Sequence, residues 1–100
     1  MHLQLSRNFT LKEFTYSRIA IEQGLENIPN PQALLALKNL TGYLLQPLRE
    51  RYGKTIAITS GYRNEAVNLL AGGVKNSQHT KGEAADCYIT EGPEVLLGIL

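Results

Sequence analysis

Two residues in this chain carry types suited to metal chemistry at a spacing that brings them together. His79 is the only His in the body of the chain, and Asp86, seven residues on, is the only Asp. Neutral imidazole and carboxylate are both zinc ligands, held at about 2 Å, and a catalytic zinc takes three protein ligands plus a water. Both lie in the stretch Ser77-Gln78-His79-Thr80-Lys81-Gly82-Glu83-Ala84-Ala85-Asp86. Gly82 permits a turn between a loop carrying His79 and a strand carrying Asp86. Ala84, on the Asp86 face by alternation, leaves room beside it. The same two residues also fit a surface His beside a buried or capping Asp, since a two-residue match is common by chance.

The elements that must position this pair can be read along the chain. Thr10 and Glu13 form a capping box, and Phe9 and Phe14 stand at staple positions, so a short helix starts there. A second helical piece covers Ile19 to Gln23 and stops at Gly24. Asn30 and Pro31 are N-cap and N1 of a longer helix, in which Leu34, Leu37, Leu40, Leu44 and Leu48 form one apolar stripe. That helix runs to about Arg51 and closes at Gly53. Pro47 inside it removes a hydrogen bond and predicts a kink or split near Tyr43. Thr55 to Ser60 reads as a strand. Asn64 caps a helix from Glu65 to Ala71, stopped by Gly72-Gly73.

Glu83 to Ile89 reads as a second strand, with Ala84, Asp86 and Tyr88 on one face and Ala85, Cys87 and Ile89 on the other. Glu83 then points away from Asp86, and Cys87 reads as a small buried hydrophobe. Tyr62 and Tyr88 are packing or pocket-lining residues. A final helix is predicted after Thr90, with Pro93 near N1 and Val95, Leu96, Leu97, Ile99 and Leu100 on its apolar side. Two strands make a marginal sheet, and the chain ends inside an apolar pattern. The expectation is a single domain over residues 1–100 that is incomplete at its C-terminal end, with self-association through that last helix.

The totals exclude several classes. One hundred residues hold one small domain. The chain is 43% hydrophobic and 19% charged, with a net charge of +1. That is a globular composition without a bulk electrostatic case for nucleic acid or an anionic membrane. A single Cys excludes an internal disulfide framework. Met1 to Asn8 reads as neither a secretory signal nor a membrane span. The location is left unknown by the sequence: cytoplasmic or phage- or prophage-associated, unless another route exports the protein.

The pattern Ser-x-His-x-x-Gly-x-Ala-x-Asp is matched at Ser77, His79, Gly82, Ala84 and Asp86. Upstream stand Ser60-Gly61-Tyr62-Arg63, Asn68 and Gly72-Gly73. Phe9-Thr10-Leu11-x-Glu13-Phe14 and Leu45-Gln46-Pro47-Leu48-Arg49 extend the match over nearly the whole chain. The chain resembles the M15 family of zinc metallopeptidases. That group holds D-alanyl-D-alanine carboxypeptidases and dipeptidases, and the L-alanyl-D-glutamate endopeptidases of phage lysis cassettes.

The resemblance implies an α+β fold of the hedgehog and D-Ala-D-Ala peptidase type, with N-terminal helices packed on a small, mainly antiparallel sheet. It implies Zn2+ held by His79 and Asp86, and hydrolysis of a peptide bond in a peptidoglycan stem peptide or muropeptide. Arg63 matches an arginine pointed at substrate or oxyanion. A guanidinium suits that role because it keeps its charge and offers a fixed fork of donors. Ser77 matches a serine that binds substrate or caps the loop.

The chain departs from the pattern at the third ligand, a His near the end of the domain, and at the Glu base a few residues before it. No His follows His79. Glu91 and Glu94 are too close to the Asp86 strand to match the base, and His2 lies at the extreme N-terminus. The chain alone is therefore expected to lack robust peptidase activity. The alternative is an inactive relative that serves as a cell-wall or partner-binding module.

Overall fold

In a computed structural model, residues 3–75, 77–88 and the backbone of 89 and 95–97 are described. Strands β1 (Gln4–Ser6) and β2 (Phe9–Thr10) form an antiparallel ribbon. Helices α1 (Leu11–Thr15) and α2 (Arg18–Glu22) follow, then α3 (Pro31–Leu40), a π turn (Thr41–Leu45) and α4 (Gln46–Tyr52). Strand β3 (Ile56–Ser60), helix α5 (Glu65–Leu70), a 3₁₀ turn (Gln78–Lys81), β4 (Ala85–Ile89) and β5 (Val95–Leu97) complete the described elements. The second sheet is antiparallel in the order β3-β4-β5. Helices on small antiparallel sheets make the α+β class expected from the sequence.

Local chemistry accounts for the element starts. Glu13 Oε2 accepts from the Thr10 backbone N–H at 2.7 Å. The Phe9 and Phe14 rings pack with centroids 6.1 Å apart, both buried. Asn30 accepts from the Ala33 N–H at 2.8 Å and Asn64 from the Val67 N–H at 2.9 Å. Ser17 caps α2 by accepting from the Ala20 N–H at 3.1 Å.

The Pro47 effect is a π turn rather than a break. In it the Gln46 N–H reaches back five residues to the Thr41 carbonyl. The wider turn absorbs the hydrogen bond and space that Pro47 denies an α-helix. It also shifts the phase of the apolar face. Leu37, Leu40 and Leu45 are fully buried, whereas Leu44 and Leu48 only pack at the margin of the core. The core joins Phe9 and Phe14 to these leucines, Ile56, Tyr62, Ala85 and Cys87.

The C-terminal expectation is corrected. Val95–Leu97 is a strand, not part of a helix; Cys87 pairs with Val95, Asp86 with Leu96 and Ala85 with Leu97. Pairing satisfies the otherwise free edge of β4, a tertiary gain that a helical reading of an apolar run does not register. The helical surface invoked for self-association therefore has no basis over these residues. The rest of that predicted helix, with Pro93, Ile99 and Leu100, lies outside the described residues, as does His2. The Asp86 strand starts at Ala85, two residues later than expected, because the Glu83 N–H turns back to the Gln78 carbonyl at 3.1 Å.

Candidate metal centre

β4 lies between β3 and β5, which places Asp86 on the central strand of the sheet. The β3–β4 register steps past one residue: Ile58 stands opposite Cys87, yet Ser60 stands opposite Asp86. The extra residue, Thr59, donates its hydroxyl to the Asp86 carbonyl at 3.1 Å. A bulge of this kind re-aims a side chain where a strand ends. Here Ile58 stays with the core while Ser60 joins the Asp86 side.

His79 rides on the 3₁₀ turn, and four contacts fix it. Ser77 Oγ accepts from the His79 N–H at 3.2 Å, so the serine caps this turn. The His79 carbonyl accepts from the Arg63 N–H at 3.1 Å and the Gly82 N–H at 3.4 Å. His79 Nδ1 lies 2.7 Å from the Gly61 carbonyl oxygen. A carbonyl only accepts, so Nδ1 is the donor in this contact, the tautomer that in a neutral ring puts the lone pair on Nε2.

Two glycines let this assembly sit directly on helices. A Cβ on Gly61 would come within 2.7 Å of the Phe14 Cα and carbonyl oxygen, and the neighbouring Tyr62 N–H bonds that same carbonyl at 2.7 Å. Gly82 has φ +72°, and a Cβ there would collide with the Ala33 carbonyl of α3. Thus α1 sets the height of the Gly61 carbonyl, and α3 sets the turn between His79 and Asp86.

The resulting geometry brings His79 Nε2 to 3.4 Å from Asp86 Oδ2, with His79 buried and Asp86 partly open. Zinc arms of about 2.1 Å at a tetrahedral angle separate two ligand atoms by roughly 3.4 Å. The pair thus fits two corners of a zinc site, with the imidazole's other nitrogen bonded as metal-bound histidines usually are. Among the described residues no group of three or more His, Cys, Asp and Glu side chains converges on a metal position. Cys87 is buried on the opposite face, as its alternation requires.

A family model for peptidase M15 matches residues 7–98. The chain belongs to the peptidase M15 family. No curated protein matches it. Zinc dependence and peptide substrates are general properties of M15 peptidases. Among the described residues no helix is long and apolar enough to cross a membrane.

In this M15 chain Arg63 is held beside the pair by its backbone. Asn27, buried, donates to the Tyr62 carbonyl at 2.8 Å and the Thr15 carbonyl at 2.9 Å, and accepts from the Asn64 N–H at 2.9 Å. It therefore brackets Arg63 on both sides. In the sequence Asn27 stands in the short stretch between Gly24 and the Asn30 cap. Its only signal was an amide, which offers donors and an acceptor together, lying in a loop before a helix cap. The Arg63 Nε is buried without a hydrogen-bond partner among the described residues. Burial, and secondarily the Glu65 carboxylate, raise the Tyr62 phenol above its ordinary pKa. Tyr62 is a core residue, and Tyr88 is largely exposed.

Proposed function

We propose that this chain holds the metal of a zinc peptidase acting on peptidoglycan stem peptides, of carboxypeptidase or endopeptidase type. The single observation that carries the reading is the 3.4 Å separation of His79 Nε2 and Asp86 Oδ2, with Nδ1 committed to the Gly61 carbonyl. His79 and Asp86 are the residues that would hold the metal. When bound, zinc lowers the pKa of a water and polarises a scissile carbonyl.

The chain's own residues do the rest. Gly61 keeps the imidazole in the tautomer whose Nε2 faces Asp86. Ser77 holds the turn that carries His79, and among the described residues its hydroxyl hydrogen has no acceptor, which leaves it to meet substrate. Arg63 presents a fork of charge-assisted donors, suited to a substrate carboxylate or to the charge that develops on the attacked carbonyl. Among the described residues no third ligand joins His79 and Asp86.

A second reading, a family relative that binds cell wall or a partner without turnover, draws on the two-ligand set. One experiment separates the two. Zinc stoichiometry is measured for the wild type, His79→Ala and Asp86→Ala, alongside hydrolysis of a defined muropeptide. The peptidase reading expects zinc lost in both variants and hydrolysis by the protein at its natural length. Zinc binding without hydrolysis by that protein would establish the binding module. Unchanged zinc binding in both variants would sink the metal assignment itself.

A further inference from the structure

The two candidate ligands belong to one closed circuit of contacts. His79 Nε2 faces Asp86 Oδ2 across 3.4 Å. On its other side, His79 Nδ1 meets the Gly61 carbonyl at 2.7 Å. Two residues before Gly61 stands Thr59, whose hydroxyl donates to the Asp86 main-chain carbonyl at 3.1 Å. The circuit runs from Asp86 through Thr59, Ser60 and Gly61 to His79, and closes across the gap between the two side chains.

Thr59 is also the extra residue of the bulge, since Ser60 rather than Thr59 stands opposite Asp86. Unbroken antiparallel pairing beyond Ile58 and Cys87 would set Thr59 opposite Asp86 and Ser60 opposite Ala85. That register carries Gly61 along the sheet by one residue, a step of roughly 3.3 Å, and takes its carbonyl away from Nδ1. The Thr59 side chain is exposed, so core packing does not account for the bulge at this residue. Its hydroxyl bond to Asp86 belongs to the bulged register.

We infer that Thr59 is a positioning residue: its hydroxyl holds the bulge that places Asp86 against His79. The inference rests on the metal reading for what occupies the gap between them. Metal–ligand distances hold to within about 0.2 Å, so a shift too small to unfold the chain is large enough to weaken binding.

Two variants test this. Thr59→Val keeps the shape and removes the hydroxyl, and Thr59→Ser keeps the hydroxyl. Valine suits an exposed strand position as threonine does, so the fold is retained. In the metal-free protein, NOEs between Ser60 and Asp86 and between Ile58 and Cys87 report the register. Competition with a chromogenic chelator reports zinc affinity, and the visible spectrum of the cobalt(II)-loaded protein reports ligand geometry. Thr59→Val is expected to lose the Ser60–Asp86 NOE, keep the Ile58–Cys87 NOE and shift the cobalt bands. Its zinc binding should weaken about three- to ten-fold, the fold-change of one net hydrogen bond. Thr59→Ser should restore all of these.

An unchanged Ser60–Asp86 NOE in Thr59→Val overturns the inference, whether or not zinc binds. A lost NOE with unchanged zinc affinity overturns it too, as does a Thr59→Ser variant that behaves like Thr59→Val. A wild type that takes up no zinc sinks the metal reading. In that case, loss of the NOE in Thr59→Val and its return in Thr59→Ser still support the positioning role.

Discussion

The carbonyl oxygen of Gly61 lies 2.7 Å from Nδ1 of His79, and Gly61 itself rests on the backbone of Phe14. A helix near the N-terminus thereby sets which nitrogen of a histidine 65 positions later is free for a metal. The contact requires glycine for space alone, since Gly61 is not among the positive-φ glycines.

Gly61→Ala should therefore act on the metal as well as on the fold. The added Cβ forces the β3 end away from α1 and moves the carbonyl from Nδ1. Loss of an outer partner of a metal-bound histidine typically costs 10–100-fold in affinity, and overpacking about 1–3 kcal/mol. Competition with a chromogenic zinc chelator and urea unfolding measure the two effects. Gly42→Ala is the control. A Cβ there meets nothing within 4 Å, and the position is helical. That variant should be neutral or stabilised by about 0.5–1 kcal/mol.

Asn27→Ala should destabilise by about 2–3 kcal/mol, because three buried or half-buried hydrogen bonds lose a partner at once. Asn27→Asp keeps the acceptor for the Asn64 N–H but turns a carboxylate toward the Thr15 and Tyr62 carbonyls. At neutral pH it should be no better than Ala. Equal urea midpoints for wild type and Asn27→Ala would show that the bracket around Arg63 contributes nothing.

Zinc should stabilise the wild type and not Asp86→Ala. A ligand that binds only the folded state at about 100 times its Kd adds about 2.7 kcal/mol. Thermal unfolding with and without zinc, each with an EDTA control, reads this directly. Asp86 is partly open and its backbone pairing is independent of its carboxylate, so the variant should fold.

The Tyr62 phenol gives a pH signature. Its pKa is raised in the folded state, by burial first and by Glu65 second. The unfolded phenol ionises near 10. Above that pH the unfolded state sheds a proton that the folded state keeps, so stability is full below pH 10 and declines as pH rises toward the folded pKa. Absorbance at 295 nm should show one tyrosine titrating late. Glu65→Gln should bring that titration to lower pH.

The parts legible in the sequence are those governed by near neighbours. Thr10 with Glu13, Asn30 with Pro31 and Asn64 each start a helix through groups three residues apart. The alternation of Ala85, Asp86 and Cys87 separates the site face from the core face. The Ser77–Asp86 pattern and Ser60–Arg63 were enough to name the family and the two candidate ligands. What stayed illegible involved partners far along the chain. The apolar run at Val95–Leu97 reads as helix until the open edge of β4 is present to receive it. Leu45 takes the core position in place of Leu44 because the π turn advances the helix by one residue.

By itself, then, the sequence determined the residue types, their local caps and the seven-residue interval between His79 and Asp86. Only the tertiary structure decided that the two side chains stand 3.4 Å apart with Nδ1 turned to the Gly61 carbonyl. That outcome depends on Gly61 resting against Phe14, Gly82 against α3 and the Thr59 bulge turning Ser60 toward Asp86. Each is a contact between distant segments, set by steric fit and hydrogen-bond satisfaction, which no local pattern encodes.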